Sequence, residues 1–420
     1  MNYGFLDSSL LSWRKILEMT KEQDGNPYII IFSLWMLLFA ASSQVMIISP
    51  ILPRISEQLG TPLEILGNLV TVYAVMVGFF AIIMGPLSDK IGRRKILLLG
   101  TGFISLFLFL HGFVETFWEL LAVRAFAGMA GGVLSGAAVA YVGDYFPYEK
   151  RGWANGWIMS GIAMGQILGI PIGTYLADLF GFRIPFIIFG AIMALTFLLI
   201  FFQVPQPNVE LSKDRVTLKG ALNKYYVLLL RSEVRAVAIA YVFMFLSVSI
   251  YVVYLPTWLE NTFDVSGKAI ASLFFVGGIA NVITGPVAGK LSDRIGRRKI
   301  IIISCLGLSL VMVATTFVIK EFWFSYILFF LVMVLIAMRI SPFQALSTEL
   351  IKSDNRGSLM SLLVAIGQVG YGLGGAVAGP FYVQNGYVSN TFIGMFTILI
   401  MAYIVWKHVP EPELDNDNIS

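Results

Sequence analysis

The stretch GPLSDKIGRRKI at residues 85–96 returns as GKLSDRIGRRKI at residues 289–300, with changes only at its second and sixth positions. Each copy follows a long apolar run and then concentrates five charged residues within a few positions. Glycine stands at the same places in both copies, where it permits a tight chain reversal. A charged motif repeated with this spacing predicts an internal duplication of the chain.

The composition indicates the solvent in which the chain folds. The 420 residues are 57% hydrophobic and 13% charged, and the mean hydropathy is +0.81. Soluble domains carry about 25% charged residues, so this chain is far too apolar for that class. The single cysteine, Cys305, excludes a disulfide within the chain and gives no signal of compartment.

Long apolar segments between the charged stretches predict membrane-spanning helices. A bilayer core requires about 20 apolar residues per helix, and no segment alternates with the period of a strand. The sequence therefore predicts an all-α membrane protein with twelve helices in two pseudo-symmetric halves. The predicted spans are 27–53, 65–87, 96–114, 118–144, 152–177, 184–204, 236–259, 269–289, 300–319, 322–348, 357–380 and 388–406.

Lysine and arginine predict the orientation, because they accumulate on the cytoplasmic side of membranes. Most of them fall on one side when the N-terminus is placed inside. Both termini and both copies of the charged motif are then cytoplasmic, in a multi-pass membrane protein. The predicted division is a leader at 1–26, a first half at 27–204, a linker at 205–235, a second half at 236–407 and a tail at 408–420.

Three further patterns recur in the same register as the charged motif. An acid precedes an Arg-Gly pair, a proline precedes a glutamate, and two glycines stand four residues apart. The pairs are Asp144 with Glu349, Pro53 and Glu57 with Pro256 and Glu260, and Gly165 and Gly169 with Gly370 and Gly374. Such agreement favours two copies of a six-helix unit, one of the known plans of transporters.

The repeated motif resembles the signature loop of the major facilitator superfamily. Arg124 with Gly128 is similar to a motif in the fourth helix of that family. Gly165, Gly169, Pro171 and Gly173 resemble the glycine-proline motif of its drug–proton antiporter branch. The resemblance implies a secondary transporter that works by alternating access and exports small organic molecules, and we expect it in a bacterial inner membrane.

The motif also predicts a cytoplasmic gate. We expect Gly85, Gly92, Gly289 and Gly296 to permit tight turns, and Asp89 and Asp293 to lie near helix N-termini, where the dipole favours a carboxylate. Arg93 and Arg297 are expected to pair with Asp144 and Glu349. These pairs would hold the two halves together while the site faces outward, and would break when it faces inward. The alternative is that the cations only set topology.

Arginines inside spans are costly and therefore informative. Helical rise places Arg124 near the outer edge and Arg339 near the midplane, about 15 Å from Glu349. Helices one, four, seven and ten line the cavity in the family that the chain resembles, which assigns Gln44, Arg124, Tyr251, Arg339 and Gln344 to a substrate cavity. For Arg339, either carbonyl groups near Pro342 or an anionic group on the cargo could be the partner. A structural arginine, and polar side chains that join helices, are the alternatives.

The glycines of the fifth helix allow two interpretations. They form one smooth face that lets helices approach closely, and Pro171 predicts a bend. Pure packing explains such a face, and so does a surface that seals or flexes during exchange.

The sequence was also searched for groups that could couple transport to protons or to ATP. No carboxylate lies near the middle of any predicted span, so proton coupling is expected to be weak or to use an edge acid such as Glu119 or Asp144. A phosphate-binding lysine loop is absent from the sequence, and two histidines with one cysteine predict no metal site. We expect a monomer without enzymatic activity, cofactor or nucleic-acid partner, in contact with lipid and a small-molecule substrate, with protons as the candidate coupling ion. An uncoupled facilitator, a lipid flippase and a membrane sensor or scaffold that does not transport are the alternatives.

Overall fold

The computed structural model describes residues 25–208, 218–350 and 356–411, so the leader and most of the tail lie outside the described residues. Twelve of its helical segments are long and apolar enough to cross a membrane. In the first half they are α1 (Pro27–Met46, continued by Ile48–Leu59), α2 (Leu63–Leu66 and Asn68–Ile91), α3 (Arg93–Leu110), α4 (Phe117–Leu134 and Ala137–Tyr145), α5 (Tyr148–Met164 and Ile170–Phe180, joined by the π-helical turn Gly165–Gly169) and α6 (Arg183–Gln203).

A linker helix, Leu218–Leu229, precedes the second half. That half consists of α7 (Ser232–Phe263), α8 (Gly267–Ile295), α9 (Arg297–Val318), α10 (Trp323–Glu349), α11 (Arg356–Asn385) and α12 (Tyr387–His408). The twelve predicted spans and the arrangement in two halves are confirmed. Most helices extend several residues beyond their predicted ends, because polar residues at a bilayer surface continue a helix without cost to its hydrogen bonds.

The repeated motif is helical almost throughout, which the sequence did not predict. Helix α2 runs to Ile91 and α8 to Ile295, and a single glycine separates each from the next helix. Gly92 has φ 100° and Gly296 has φ 105°, so one residue in a conformation that favours glycine reverses the chain. The expectation for Asp89 and Asp293 is wrong: both lie in the last turn of a helix rather than near an N-terminus. The side chain of Asp89 is outside the described part of the structure.

Within each half, glycines allow two helices to pack with their backbones close together. A Cβ atom at Gly165 or Gly169 of α5 would overlap the hydroxyl groups of Ser42 and Ser43 on α1. The equivalent glycines of α11 meet α7 in the same way, Gly370 at Val242 and Gly374 at Ser249. The duplicated glycines therefore serve the same helix contact in both halves, as the packing interpretation of the fifth helix requires.

The two ends of the bundle differ. We call the end with the two charged motifs the motif end and the opposite end the far end. Toward the far end the halves are in contact: Thr71 Oγ1 donates to the carbonyl oxygen of Gly372 at 2.6 Å, and Gly67 N–H donates to the hydroxyl of Tyr254 at 3.0 Å. Gly67 of α2 and Gly375 of α11 leave no room for a Cβ between them.

Toward the motif end, helices α4, α5 and α8 leave space. In the described part of the chain, nothing lies within 4 Å of where a Cβ would stand at Gly143, Gly152, Gly156 or Gly285, on α4, α5 and α8. Trp157 and Leu291, on the motif-end parts of α5 and α8, are both exposed. The halves are thus in contact at the far end, and the bundle is open around these positions of α4, α5 and α8 at the motif end.

The contrast along α5 gives a stability prediction. Gly169→Ala should lower the free energy of unfolding by about 1–3 kcal/mol, because the new methyl group overlaps Ser43 in a packed contact. Gly156→Ala on the same helix is the matched control. It should leave stability unchanged or raise it by up to about 1 kcal/mol, since alanine favours helix and the site is open.

Thermal unfolding of the purified protein in detergent measures both variants. Equal midpoints for Gly169→Ala and Gly156→Ala would show that α1 and α5 are not in the close contact described.

Candidate functional site

At the motif end, the first arginine of each motif binds the acid that the repeat assigned to it. Arg93 Nε donates to Asp144 Oδ2 at 2.6 Å, and its Nη1 donates to Ser88 Oγ at 2.8 Å. Arg297 pairs with Glu349 and, at 3.2 Å, with Asp293 Oδ1. Ser88 is buried, whereas the charged side chains are partly or largely exposed, so each ion pair is a charge-assisted contact at the edge of the bundle.

These pairs do not join the two halves, and that expectation is wrong for this conformation. Arg93 begins α3 and Asp144 lies near the end of α4, both in the first half; Arg297 and Glu349 belong to α9 and α10 in the second. Both pairs are intact although the motif end is open. Opening this end need not break them, because each connects helices that move together.

The second arginine of each motif makes equivalent hydrogen bonds in the two halves, and the sequence did not predict them. Arg94 Nη2 donates to the carbonyl oxygen of Phe201 at 2.6 Å, and its backbone N–H donates to Gln206 Oε1 at 3.1 Å. In the second half, Arg298 donates to the carbonyl oxygen of Trp406, and its N–H donates to Glu411 at 3.2 Å.

Each motif therefore connects its chain reversal to the fourth helix of the same half, α4 or α10, and to the end of the sixth helix of that half, α6 or α12. The equivalent spacing of Gln206 and Glu411 behind the two motifs was the available signal for this contact. Gly289 completes the arrangement in the second half, where a Cβ would stand 3.2 Å from Ser341 on α10. For Gly85 the corresponding surroundings are outside the described part.

Inside the first half, two of the predicted cavity residues meet. Arg124 is buried; its Nη1 donates to Gln44 Oε1 at 3.1 Å. Gln44 Nε2 in turn donates to the hydroxyl of Tyr73 at 2.8 Å, and the guanidinium lies 4.3 Å from the centre of the Tyr73 ring. A neutral amide and an aromatic face are thus the partners of this cation, and Arg124 Nε has no hydrogen bond to any described group.

Inside the second half, Arg339 is more isolated. Its side chain is fully buried, and Nε, Nη1 and Nη2 make no hydrogen bond to any residue that the structure describes. Cys305 on α9 lies near this guanidinium. The predicted carbonyl partners near Pro342 are therefore not used.

The remaining two cavity candidates do not join these arginines. The hydroxyl of Tyr251 is 2.9 Å from Thr315 Oγ1 on α9, and the backbone carbonyl of Tyr251 accepts from Tyr387 at 2.6 Å. Tyr251 thus packs inside the second half, away from the space between the halves. Gln344 is exposed toward the motif end of α10. The structure brings together Gln44 and Arg124 but separates Tyr251, Arg339 and Gln344.

The two edge acids considered for proton coupling already have partners. The Glu119 carboxylate accepts from the backbone N–H groups of Glu115 at 2.7 Å and Thr116 at 3.2 Å, which caps the start of α4. Asp144 binds Arg93. Both carboxylates stabilise local structure in this conformation.

A cluster of three charged residues at the far end was not predicted from the sequence. Arg54 on the second segment of α1 contacts Asp178 at the end of α5 and Glu260 near the end of α7. Glu260 had been recognised only as the repeat partner of Glu57. Nothing in the sequence places three residues this far apart in the chain at one point.

Comparisons with known proteins give concordant results. The model of the Major Facilitator Superfamily matches residues 34–257 and 237–419. The multidrug resistance protein MdtG of Proteus mirabilis is 31% identical over 365 residues, which cover 84% of this chain and 89% of that protein. MdtG of Salmonella typhi is 31% identical over 294 residues, covering 68% of this chain and 72% of that protein.

Two solved structures share the fold at low identity. A D-xylose–proton symporter superposes with a TM-score of 0.73 at 17% identity and covers 92% of this chain and 98% of its own. The nucleoside transporter NupG superposes with a TM-score of 0.73 at 15% identity and covers 91% and 100%.

The motif contacts predict a measurable coupling between Arg93 and Asp144. In a double-mutant cycle with Arg93→Gln and Asp144→Asn, we expect a coupling free energy of about 1–3 kcal/mol, the usual range for a hydrogen bond between charged groups. Lys95→Gln with Asp144→Asn is the matched control, because Lys95 is exposed and lies two residues farther along α3, and this pair should show almost no coupling. Denaturation of the purified protein provides the free energies. Strictly additive effects for Arg93 and Asp144 would contradict the pairing.

Proposed function

Because this chain belongs to the Major Facilitator Superfamily, we propose that it is a secondary transporter that exports small organic molecules by alternating access. The observation that carries the proposal is the difference between the two ends of the bundle. The halves are in contact at the far end and apart at the motif end. A duplicated bundle closed on one side only is what alternating access requires of each of its end states.

The direction of the open side follows from the positive charge. Both motif reversals, with Arg93 to Lys95 and Arg297 to Lys299, lie at the motif end. Cytoplasmic loops of membrane proteins carry an excess of lysine and arginine, so the motif end is cytoplasmic and the described conformation faces inward. An exporter loads its cargo in this state. The boundaries at 27–204, 205–235 and 236–407 then delimit the two moving bodies and their linker.

Export is supported by the relatives, which carry the name multidrug resistance protein. The chain spans most of their length, and the family consists of transporters, so enzymatic activity is not part of the proposal. The glycine-proline motif around Gly165 and Pro171, which resembles that of drug–proton antiporters, points in the same direction.

The buried arginines suggest the class of cargo. An arginine at the centre of a bilayer costs at least about 2.5–3.5 kcal/mol, and Arg339 has no carboxylate or carbonyl partner among the described residues. Arg124 has only neutral partners. An anionic group on the cargo would supply the missing charge, with a guanidinium geometry that suits carboxylates and phosphates. The side chain of Arg339 is closed off here, so the side chains packed around it must open locally as the cargo binds.

Transport in proteoliposomes tests the function. Vesicles with the protein reconstituted in their membrane should transport an anionic drug. An imposed pH gradient should change the accumulation of this drug only modestly, because the central parts of the spans contain no carboxylate. A strong gradient effect that survives both Glu119→Gln and Asp144→Asn would contradict the coupling part. Transport of no small molecule at all would contradict the function.

Variants at Arg339 test the class of cargo. Arg339→Gln should abolish stabilisation of the protein by anionic ligands in a thermal-shift assay, whereas Arg339→Lys should retain part of it, since the positive charge remains. Arg235→Gln, at an exposed arginine near the start of α7, is the control for loss of one charge. Normal binding and transport of anions by Arg339→Gln would show that the arginine is structural.

A further inference from the structure

Three charged side chains meet at the far end, where the halves are closed. Arg54 donates to Asp178 Oδ1 from Nη2 at 2.5 Å and from Nε at 3.1 Å. Its Nη1 donates to Glu260 Oε2 at 3.2 Å. The side chains are 24%, 19% and 9% exposed for Arg54, Asp178 and Glu260. We call these three residues the far-end triad.

The far-end triad crosses the boundary between the halves. Arg54 and Asp178 belong to α1 and α5 of the first half, and Glu260 to α7 of the second. Of the ion pairs found among the described residues, Arg54 with Glu260 is the one that joins the two halves. A Cβ at Gly267, the first residue of α8, would stand 2.9 Å from the Asp178 carboxyl carbon, so the second half also covers Asp178. The triad therefore forms only when the far end closes.

The charges of the triad do not balance. One guanidinium faces two carboxylates, which leaves one excess negative charge in a site that is only partly exposed to water. Three other titratable groups surround the triad. The exposed Glu57 lies on the same helix as Arg54 and acts on it electrostatically. From neighbouring helices come Lys268, whose Nζ lies 5.2 Å from the Tyr175 ring, and Tyr382, whose hydroxyl accepts from Asn261 at 3.3 Å. None of these forms an ion pair with Glu260 in the described structure.

Closure thus brings two carboxylates together and reduces their contact with water. Both effects disfavour a second negative charge, whereas in an open far end each carboxylate would be hydrated by itself. The two carboxylates are not equivalent, because Asp178 accepts two hydrogen bonds from Arg54 and Glu260 accepts one. Glu260 is also the less exposed of the two.

We propose that closing the far end binds one proton on the Glu260 carboxylate and that opening this end releases it. The far-end triad is then a proton site that exists in the inward-facing state and is dismantled in the outward-facing state. This inference rests on the proposed alternating access. It assigns a pH-sensitive element to the gate and not a path for net proton transport, because the proton enters and leaves on the same side of the membrane.

The sign of the pH effect follows from this linkage. A proton bound only in the closed state stabilises that state at low pH, and the stabilisation is lost as pH rises. The ratio of open to closed far ends should therefore increase with pH, by at most about tenfold per unit for one proton. Alkaline conditions on the far side favour the outward-facing state.

Distances between spin labels across the far end can test the proposal. Cysteines replace the exposed Glu115 and Glu321, which lie in the far-end loops of the two halves, in a Cys305→Ala background. Pulsed electron paramagnetic resonance then gives the populations of short and long distances between pH 5.5 and 8.5. We expect the long distance to gain population as pH rises in the otherwise native protein. Glu260→Gln should keep the short distance at every pH, since its neutral amide imitates the protonated carboxyl group.

Two comparisons separate this mechanism from simple damage to the gate. Glu57→Gln, at the repeat partner of Glu260, removes one carboxylate outside the triad and should preserve the pH response. Arg54→Gln leaves two unbalanced carboxylates and should open the far end at neutral pH, whereas Arg54→Gln with Glu260→Gln should close it again. That recovery is not expected if Arg54 only fills space.

A far end that opens in Glu260→Gln, stays closed in Arg54→Gln, or retains its pH response without Glu260 would overturn the proposal. The distances are measured without cargo, so they remain informative if the proteoliposomes transport nothing. Export that proceeds normally while the distances do not respond to pH would refute the proton site alone and leave the proposed function intact.

Discussion

The charged contacts at the motif end lie inside each half, and this makes each half a single mechanical unit. Arg93 with Asp144 and Arg297 with Glu349 tie the chain reversals to α4 and α10, while Arg94 and Arg298 hold the ends of α6 and α12. Close glycine contacts do the same deeper in the membrane, between α1 and α5 and between α7 and α11. The two halves are therefore expected to move relative to each other, with the changes in contact at the boundary between them.

That boundary is built differently. Between α2 and α11 it consists largely of small residues and a few hydrogen bonds to backbone atoms, such as Thr71 to Gly372. Surfaces of this kind let the backbones of two helices approach closely without interlocking side chains. The far-end triad adds an electrostatic contribution that depends on charge balance more than on shape. The result is a bundle with rigid halves and an adjustable contact between them.

The sequence predicted the parts of this account that follow from periodicity and repetition. Apolar length gave the twelve spans, and register gave the partners of Arg93 and Arg297. The sequence did not predict features that depend on the rotation of a helix about its axis or on contacts between residues distant in the chain. Tyr251 was assigned to the cavity by its helix, but it faces Thr315 on α9; Asp293 was expected at a helix start, although the helix continues through the motif. Arg54, Asp178 and Glu260 come together only in three dimensions.

Reversible locking of the boundary tests the central claim most directly. A Cβ at Gly372 of α11 would stand 3.5 Å from that of Ala74 on α2, within the range of a disulfide. In a Cys305→Ala background, Ala74→Cys with Gly372→Cys should crosslink on oxidation, stop transport in proteoliposomes and recover on reduction, while either single variant remains active. Undiminished transport by the fully crosslinked protein would contradict the claim that the two halves separate at the far end during each cycle.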